Sequence, residues 1–104
     1  MKSITPFQAR VFEMLASIPK GRVMTYQGLG RAIHCRSPRA IGQALKANPH
    51  APILPCHRVI CSDLSLGGYQ GVGYSERKLQ LLAEEGVFFE NGLLKEPWRV
   101  WMPA

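Results

Sequence analysis

The sequence predicts a small α+β domain that is mostly helical, with a winged-helix-like helix-turn-helix and a few short strands. Three observations support this fold class. The chain has 104 residues, 46% of them hydrophobic, which suits one modest core. Helix start and stop signals divide the first half into three short helices, and a turn dipeptide separates two apolar runs near the end. We therefore expect a single domain over residues 1–104.

The first helix is expected in the segment TPFQARVFEMLASIPKG. Thr5 can cap its N-terminus, and the next residue is a proline, whose missing N–H costs nothing at the first helical position. Apolar side chains recur at helical spacing along one face, and we expect them in the core. They are Phe7, Val11, Leu15 and Ile18.

A helix-turn-helix is expected between residues 25 and 49. Thr25 can cap the first of its helices. Ser37 followed by Pro38 is a strong helix start, and Asn48 followed by Pro49 is a strong stop. Two short helices joined by about four residues are typical of this motif.

The second helix of this pair has an unusual outer surface. Ile41 and Leu45 are expected to point inward, whereas Ala40, Gly42 and Ala44 leave the remaining surface nearly bare. Gly42 lowers helix stability by roughly 1 kcal/mol relative to alanine. Two explanations are open: close approach of a nucleic-acid backbone, or tight packing against a neighbouring helix.

The second half of the chain carries the strands and a last long helix. A short strand is expected around Val59 and Ile60, and the segment SLGGYQGVGYS reads as a loop because it holds four glycines. A helix is expected to start at Ser75 and end at Gly86. The Asn91-Gly92 dipeptide predicts a hairpin, followed by an aromatic tail.

Charge indicates what the surface can bind. The net charge is +6, and the segment 20–58 contains seven basic residues and no acidic residue. Such a block is a candidate surface for a polyanion, although a generally basic, well-solvated surface would show the same count. The basic residues are Lys20, Arg22, Arg31, Arg36, Arg39, Lys46 and Arg58.

The composition also narrows the compartment. No apolar run is long enough to cross a membrane, and the N-terminus lacks the pattern of an export signal. Three cysteines cannot all pair with one another, which argues against a disulfide framework and for a reducing compartment. The sequence therefore predicts a protein of the cytoplasm.

The stretch ILPCHRVI places a thiol, an imidazole and a guanidinium on consecutive residues. Three interpretations are open: a metal site, a buried cysteine beside a solvated histidine, or a thiolate activated by the imidazole. The spacing fits zinc poorly, so we expect no metal and no cofactor. The potential ligands are His34, Cys35, Cys56, His57 and Cys61. The third interpretation needs a carboxylate to orient the imidazole, and the candidates are Asp63, Glu76, Glu84, Glu85 and Glu90.

The motif ILPCHRVI resembles the active site of the O6-alkylguanine-DNA alkyltransferases, which repair O6-methylguanine in DNA. The segments GRVMTYQGLGRAI, SPRAIGQALKANP and LLAEEG resemble the same family in the same order. The resemblance runs from about Thr5 to Gly86. It implies that Cys56 accepts the alkyl group irreversibly and that His57 acts as its base through a water. It further implies that Glu85 orients His57 and that Asn48 braces the turn.

The resemblance also implies a DNA interface in the minor groove, where the target guanine is flipped out of the duplex. Tyr26 would press on a phosphate and Arg39 would fill the gap in the base stack. The residues implied at the DNA surface are Tyr26, Arg39, Thr25, Ala40, Gly42, Leu45, Lys46 and Ser62. Those implied around the flipped base are Tyr26, Pro55, Arg58, Val59 and Tyr69.

Two departures from the family leave alternatives open. The family's usual N-terminal domain is absent from these residues, and the PWRVWMP end resembles the sister group of alkyltransferase-like proteins. Members of that group bind the same lesions without repairing them and recruit other repair proteins. The preferred expectation is single-turnover transfer to Cys56 by a nucleoid-associated monomer. A lesion sensor is the first alternative, a helix-turn-helix regulator without chemistry the second, and a thiol hydrolase a distant last.

Overall fold

The computed structural model describes residues 4–49, 53–68 and 75–103, and it has the α+β, mostly helical fold that the sequence predicts. Within these ranges there are four helices, two 3-10 turns and two pairs of two-residue strands. The elements in chain order are α1 (Pro6–Ser17), β1 (Met24–Thr25), α2 (Tyr26–Ala32), α3 (Pro38–Lys46), a 3-10 turn (Cys56–Arg58), β2 (Val59–Ile60), α4 (Glu76–Glu84), β3 (Phe89–Glu90), β4 (Leu93–Leu94) and a second 3-10 turn (Pro97–Arg99).

Each predicted helix start is confirmed by a side chain that caps it. Thr5 accepts from the backbone N–H of Gln8, whose own side chain bonds back to Thr5, which completes a capping box. Ser37 accepts from the Ala40 N–H, and Thr25 accepts from the Gly28 N–H. These caps satisfy donors that the first helical turn leaves without partners.

The helix-turn-helix packs against α1 in the larger of two core clusters. Val11, Leu15 and Leu29 are fully buried there, and Ile41 of α3 is 1% exposed. Cys56 and Val59 belong to the same cluster. A second cluster lies under α4 and is formed by Val23, Ile60, Leu66, Leu82, Val87 and Leu94. The turn that contains Cys56 is therefore anchored directly on the core of the helix-turn-helix.

A pair of parallel strands holds the Cys56–Arg58 turn in place relative to α2. β1 pairs with β2 so that Met24 faces Val59 and Thr25 faces Ile60. Because β1 runs directly into α2, and β2 directly follows the Cys56–Arg58 turn, the ladder sets the position of the turn relative to α2. β2 was predicted, whereas its partner β1 was not.

The hairpin predicted at Asn91 and Gly92 is confirmed. Their φ angles of 55° and 81° are the positive values that a two-residue hairpin turn requires. β3 and β4 pair antiparallel across this turn. The Leu94 N–H bonds to the Leu64 carbonyl, which docks the hairpin on the loop that follows β2. No helix in the described part of the chain is long and apolar enough to cross a bilayer.

Two expectations about α3 need correction. Ala44 was predicted on the bare outer surface, but it is only 3% exposed because it packs into the larger core cluster. Leu45 was also implied at the DNA surface. Its side chain points inward, as the helical pattern predicted, and is only 6% exposed. It therefore stabilises the core and is not available to DNA in this conformation. The outer surface of α3 is thus narrower than the sequence suggested.

Candidate active site and DNA-facing helix

The buried side-chain amide of Asn48 stabilises the turn that contains Cys56. Cys56 starts the 3-10 turn directly after Pro55 and is 6% exposed. Its backbone N–H bonds to the Leu54 carbonyl at 2.8 Å, and the Asn48 side chain donates to that same carbonyl at 2.8 Å. Asn48 is itself 4% exposed. The Asn48 amide, just after α3, therefore ties the Cys56–Arg58 turn to the helix-turn-helix, in the position that its predicted bracing role requires.

His57 and Glu85 are in contact across 28 residues of sequence. His57 Nε2 lies 2.9 Å from Glu85 Oε2. An ionised carboxylate can only accept, so Nε2 carries the proton and donates it. The contact has the geometry that the predicted orientation of His57 by Glu85 demands. It selects Glu85 from the five carboxylates that the sequence left open.

The second ring nitrogen of His57 is placed to act as a base. Nδ1 is buried and has no hydrogen-bond partner among the described residues. Burial lowers the pKa of His57 below the ordinary histidine value, although the hydrogen bond and the charge of Glu85 act in the opposite direction. The ring is therefore neutral near pH 7. With the proton on Nε2, the free lone pair is on Nδ1.

Arg58 holds the other side of the carboxylate. Its Nε donates to Glu85 Oε1 at 2.8 Å and its Nη2 to Oε2 at 2.9 Å, a two-pronged ion pair. Nη1 donates to the carbonyl of Ile18 at the end of α1. Burial raises the pKa of Glu85, but the hydrogen bonds from Arg58 and His57 outweigh it and keep the pKa below its usual value. Arg58 was predicted to line the pocket, and the structure instead turns its guanidinium toward Glu85.

Lys78 is a site residue that the sequence analysis missed. Its side chain is fully buried, and Nζ donates to the carbonyl oxygens of Val59 at 2.7 Å and Gly68 at 3.0 Å. Burial lowers the pKa of Lys78 to about 8, and the nearby thiols of Cys61 and Cys56 only partly oppose this. One turn of helix separates Lys78 from the buried Leu82, and that spacing was the available signal.

Lys78 makes the stability of the fold depend on pH in a defined window. Between about pH 8 and pH 10.5 the unfolded chain holds the lysine proton and the folded chain does not, so the free energy of unfolding rises with pH. The expected gain is on the order of 3 kcal/mol. Urea unfolding across this window should show it in the wild type and not in Lys78→Met, which lacks the amine. Parallel pH profiles for the two proteins would contradict the assignment.

Tyr26 lies near the thiols of Cys61 and Cys56 and shares a groove with residues of α3. Burial raises the pKa of its phenol, and the neighbouring thiols of Cys61 and Cys56 raise it further. A shallow groove of about 460 Å³ runs from Tyr26 to α3. It is lined by Tyr26, Pro38, Arg39, Gly42, Cys61 and Ser62. Four of the residues predicted at the DNA surface thus share one groove with Pro38 and Cys61.

Gly42 faces open space in this groove. Apart from its chain neighbours and the backbone of its own helix, a β-carbon placed on Gly42 would have no described atom within 4 Å. Tight packing against a neighbouring helix therefore does not explain the glycine. Of the two explanations drawn from the sequence, close approach of an external ligand is the one that this geometry leaves.

The remaining residues predicted at the site differ in burial and in the contacts that they make. Lys46 is exposed near the end of α3, and Ala40 is half-buried near its start. The hydroxyl of Thr25 is engaged as the cap of α2, and the hydroxyl of Ser62 accepts from the Gln27 N–H at 3.3 Å. Pro55 and Val59 are buried beside Cys56, and the carbonyl of Val59 is bonded to Lys78. Tyr69 lies outside the described residues.

In the described part of the chain, no three histidine, cysteine or acidic side chains lie close enough together to bind a metal ion. Cys35, Cys56 and Cys61 form no disulfide bond with one another.

A comparison with models of known protein families shows which family this chain belongs to. A model described as the DNA binding domain of 6-O-methylguanine DNA methyltransferase matches residues 6–87. The chain belongs to the 6-O-methylguanine DNA methyltransferase family. The matched segment of this family member contains the helix-turn-helix, the Cys56–Arg58 turn and Glu85.

Two of the similar proteins carry different names. A methylated-DNA–protein-cysteine methyltransferase of Thermococcus kodakarensis is 42% identical over 87 residues, which is 83% of this chain and 48% of the relative. A DNA base-flipping protein of Thermus thermophilus is 43% identical over 84 residues, 81% of this chain and 55% of the relative. The chain therefore spans about half the length of these two relatives.

Some similar solved structures match nearly end to end, and one of them holds damaged DNA. S. pombe Atl1, in complex with damaged DNA containing O6-carboxymethylguanine, covers 99% of this chain and 100% of its own, with a TM-score of 0.79 and 28% identity. The likeness to Atl1 therefore includes the hairpin and the aromatic tail, which lie beyond the residues that the family model matches.

Proposed function

We propose that this protein repairs DNA by flipping O6-alkylguanine out of the duplex and transferring its alkyl group irreversibly to Cys56. The observation that carries the proposal is the His57–Glu85 hydrogen bond directly beside a buried cysteine. Such a pair supplies a neutral base with a fixed orientation next to a potential nucleophile. The methyltransferase name of relatives that are 42–45% identical supports the same chemistry.

The transfer needs one proton to leave the thiol. Nδ1 of His57 takes that proton through a water, and the sulfur then attacks the alkyl carbon. A sulfur–carbon bond forms while the carbon–O6 bond breaks, and guanine leaves with the electron pair and takes up a proton. Ionised Glu85 stabilises the imidazolium that forms on His57. Because the thioether is stable, each protein molecule acts once.

Binding is proposed to occur through α3 in the minor groove of double-stranded DNA. The groove beside Gly42 supplies a surface for close approach, and Arg39 and Lys46 are exposed cations on the same helix. The net charge of +6 favours a polyanion. We further propose that the protein acts as a monomer in the cytoplasm, associated with the nucleoid, and needs no cofactor.

The experiment that tests this function follows the lesion itself. Duplex DNA that contains one O6-methylguanine is incubated with excess protein, and the nucleosides are then quantified after digestion. The proposal expects O6-methylguanine to be converted to guanine. Persistence of the lesion despite its tight binding would replace transfer by lesion recognition alone.

Gly42→Ala should separate stability from DNA binding. Alanine removes a helix cost of about 1 kcal/mol and meets no described atom, so the free energy of unfolding should rise by about that amount. DNA affinity should fall by about tenfold, because the new methyl group holds α3 away from the backbone. Fluorescence anisotropy with labelled duplex gives the affinity. The matched control is Gln43→Ala on the same helix, and an equal loss of affinity in both variants would contradict the close approach.

Arg39→Ala should affect damaged DNA more than undamaged DNA. Arg39 is exposed beside the groove, where it can enter the base stack once the target nucleotide has left. Affinity for the lesion duplex should fall by about tenfold or more, and affinity for the undamaged duplex by about twofold to threefold. Equal losses on both duplexes would make Arg39 an ordinary phosphate contact.

A second candidate function is lesion recognition without transfer, followed by recruitment of other repair proteins. The near end-to-end likeness to Atl1, whose structure holds damaged DNA, favours it. The two functions share the DNA interface and differ in whether Cys56 reacts. A helix-turn-helix regulator without chemistry is less well supported, since it would not require the paired His57 and Glu85.

A further inference from the structure

The tail, defined as residues 96–103, packs against the segment that joins α1 to β1. Val23 receives a hydrogen bond from Trp101 and donates one to the carbonyl of Arg99, so the two segments pair like short parallel strands. Arg22 adds bonds from its guanidinium to the carbonyls of Trp98, Arg99 and Val100. The tail backbone is thus fixed at a defined position.

The Arg99 side chain extends from the tail to Gly21 and Gly86. Its Nη1 donates to the carbonyl of Gly21 at 2.9 Å. A β-carbon placed on Gly86 would lie 3.9 Å from Nη2, and one placed on Gly21 would lie 3.6 Å from Nη1. The guanidinium therefore sits against two glycines with φ values of 84° and 86°.

The opposite side of the guanidinium is also occupied. Its Nε donates to Glu96 Oε1 at 2.8 Å, and its Cζ lies 4.4 Å from the centre of the Trp98 ring. An ion pair and a cation–π contact thus limit the rotamers that Arg99 can adopt. The side chain is 17% exposed, although it belongs to a surface tail.

The two glycines frame Glu85. Gly86 directly follows it, and a β-carbon on Gly21 would lie 3.5 Å from the Glu85 carbonyl oxygen. Ile18, which accepts from Arg58, lies at the start of the same α1–β1 connection. Any shift of this connection or of the Gly86 turn would move the Glu85 carboxylate or its partner Arg58, and with them the hydrogen bond to His57.

We propose that Arg99 is a positioning residue that fixes Glu85, and through it the orientation of His57, by holding the Gly21 and Gly86 turns together. The proposal rests on the proposed function for its kinetic consequence. Its structural consequence does not depend on that function. The tail would thereby influence the site indirectly, although it lies outside the residues 6–87 that the family model matches.

Three variants test this. Arg99→Gln removes the charge and the fork, Arg99→Lys keeps the charge, and Lys95→Gln removes a neighbouring charge without touching either glycine. The exchange rate of the His57 Nε2 proton is measured by NMR in the absence of DNA. Arg99→Gln should accelerate exchange by about tenfold or more and lower the rate constant of alkyl transfer by about tenfold, with lesion affinity changed less than twofold. Arg99→Lys should recover part of both losses, and Lys95→Gln should match the wild type.

Each outcome decides the point. Unchanged proton exchange in Arg99→Gln overturns the positioning role, even if the variant melts at a lower temperature, because the arginine would then only stabilise the fold. Faster exchange with an unchanged transfer rate overturns it as well. If the wild type transfers no alkyl group, the proposed function fails, while the exchange measurement still supports or overturns the contact between Arg99 and the Glu85 turn.

Discussion

Cys56→Ser is expected to lower the rate of alkyl transfer by about a thousandfold or more and to leave lesion binding within about twofold of the wild type. The hydroxyl is similar in size, so the core contacts that bury this side chain are retained. A serine hydroxyl is far less acidic than a thiol, and His57 cannot generate a comparable nucleophile from it. Rapid-quench kinetics with labelled lesion DNA measure the rate, and anisotropy measures the binding.

The control for this variant is Cys35→Ser. Cys35 is another cysteine outside any disulfide, half-buried at the turn between α2 and α3. Its replacement should leave transfer unchanged. If transfer survived in Cys56→Ser and disappeared in Cys35→Ser, the alkyl acceptor would be Cys35 and not Cys56.

Glu85→Gln should slow transfer by about a hundredfold and lower the free energy of unfolding by about 2 kcal/mol. A neutral amide can present its NH2 group to Nε2, which favours the wrong imidazole tautomer and removes the lone pair from Nδ1. It also leaves the Arg58 guanidinium without its carboxylate in a site where the two side chains are only 15% and 11% exposed. Single-turnover kinetics and urea unfolding measure the two effects.

Glu84→Gln is the matched control, since Glu84 is the adjacent residue and is exposed. It should change neither the rate nor the stability. The loss of rate in Glu85→Gln should remain smaller than that in Cys56→Ser, because the nucleophile is still present. Equal losses in the two glutamine variants would show that only the negative charge of this helix end matters.

The sequence predicted the elements whose signals are local. Thr5, Ser37 and the Asn91-Gly92 dipeptide each act within a few residues, and each has the predicted conformation. The apolar spacing of Val11 and Leu15 likewise predicted the buried face of α1. In these cases the chain reports its structure through hydrogen bonds and burial that do not depend on distant partners.

Features that depend on distant partners could not be predicted in the same way. The pairing of Met24 with Val59 involves strands of two residues, which are too short to show a period. Glu85 could be chosen from five carboxylates only through the family resemblance. Lys78 is buried because two backbone carbonyls meet its amine, and no composition rule anticipates that. Ala44 was misplaced because a small residue carries little information about the side it faces.

The most direct test of transfer to Cys56 is the intact mass of the protein after incubation with an excess of duplex that contains O6-methylguanine. The account predicts that the mass rises by one methyl group per chain and then stays constant, and that peptide mapping places the methyl group on Cys56. A wild-type mass that does not change, although lesion DNA binds more tightly than undamaged DNA, would contradict transfer and leave this protein as a lesion-binding sensor.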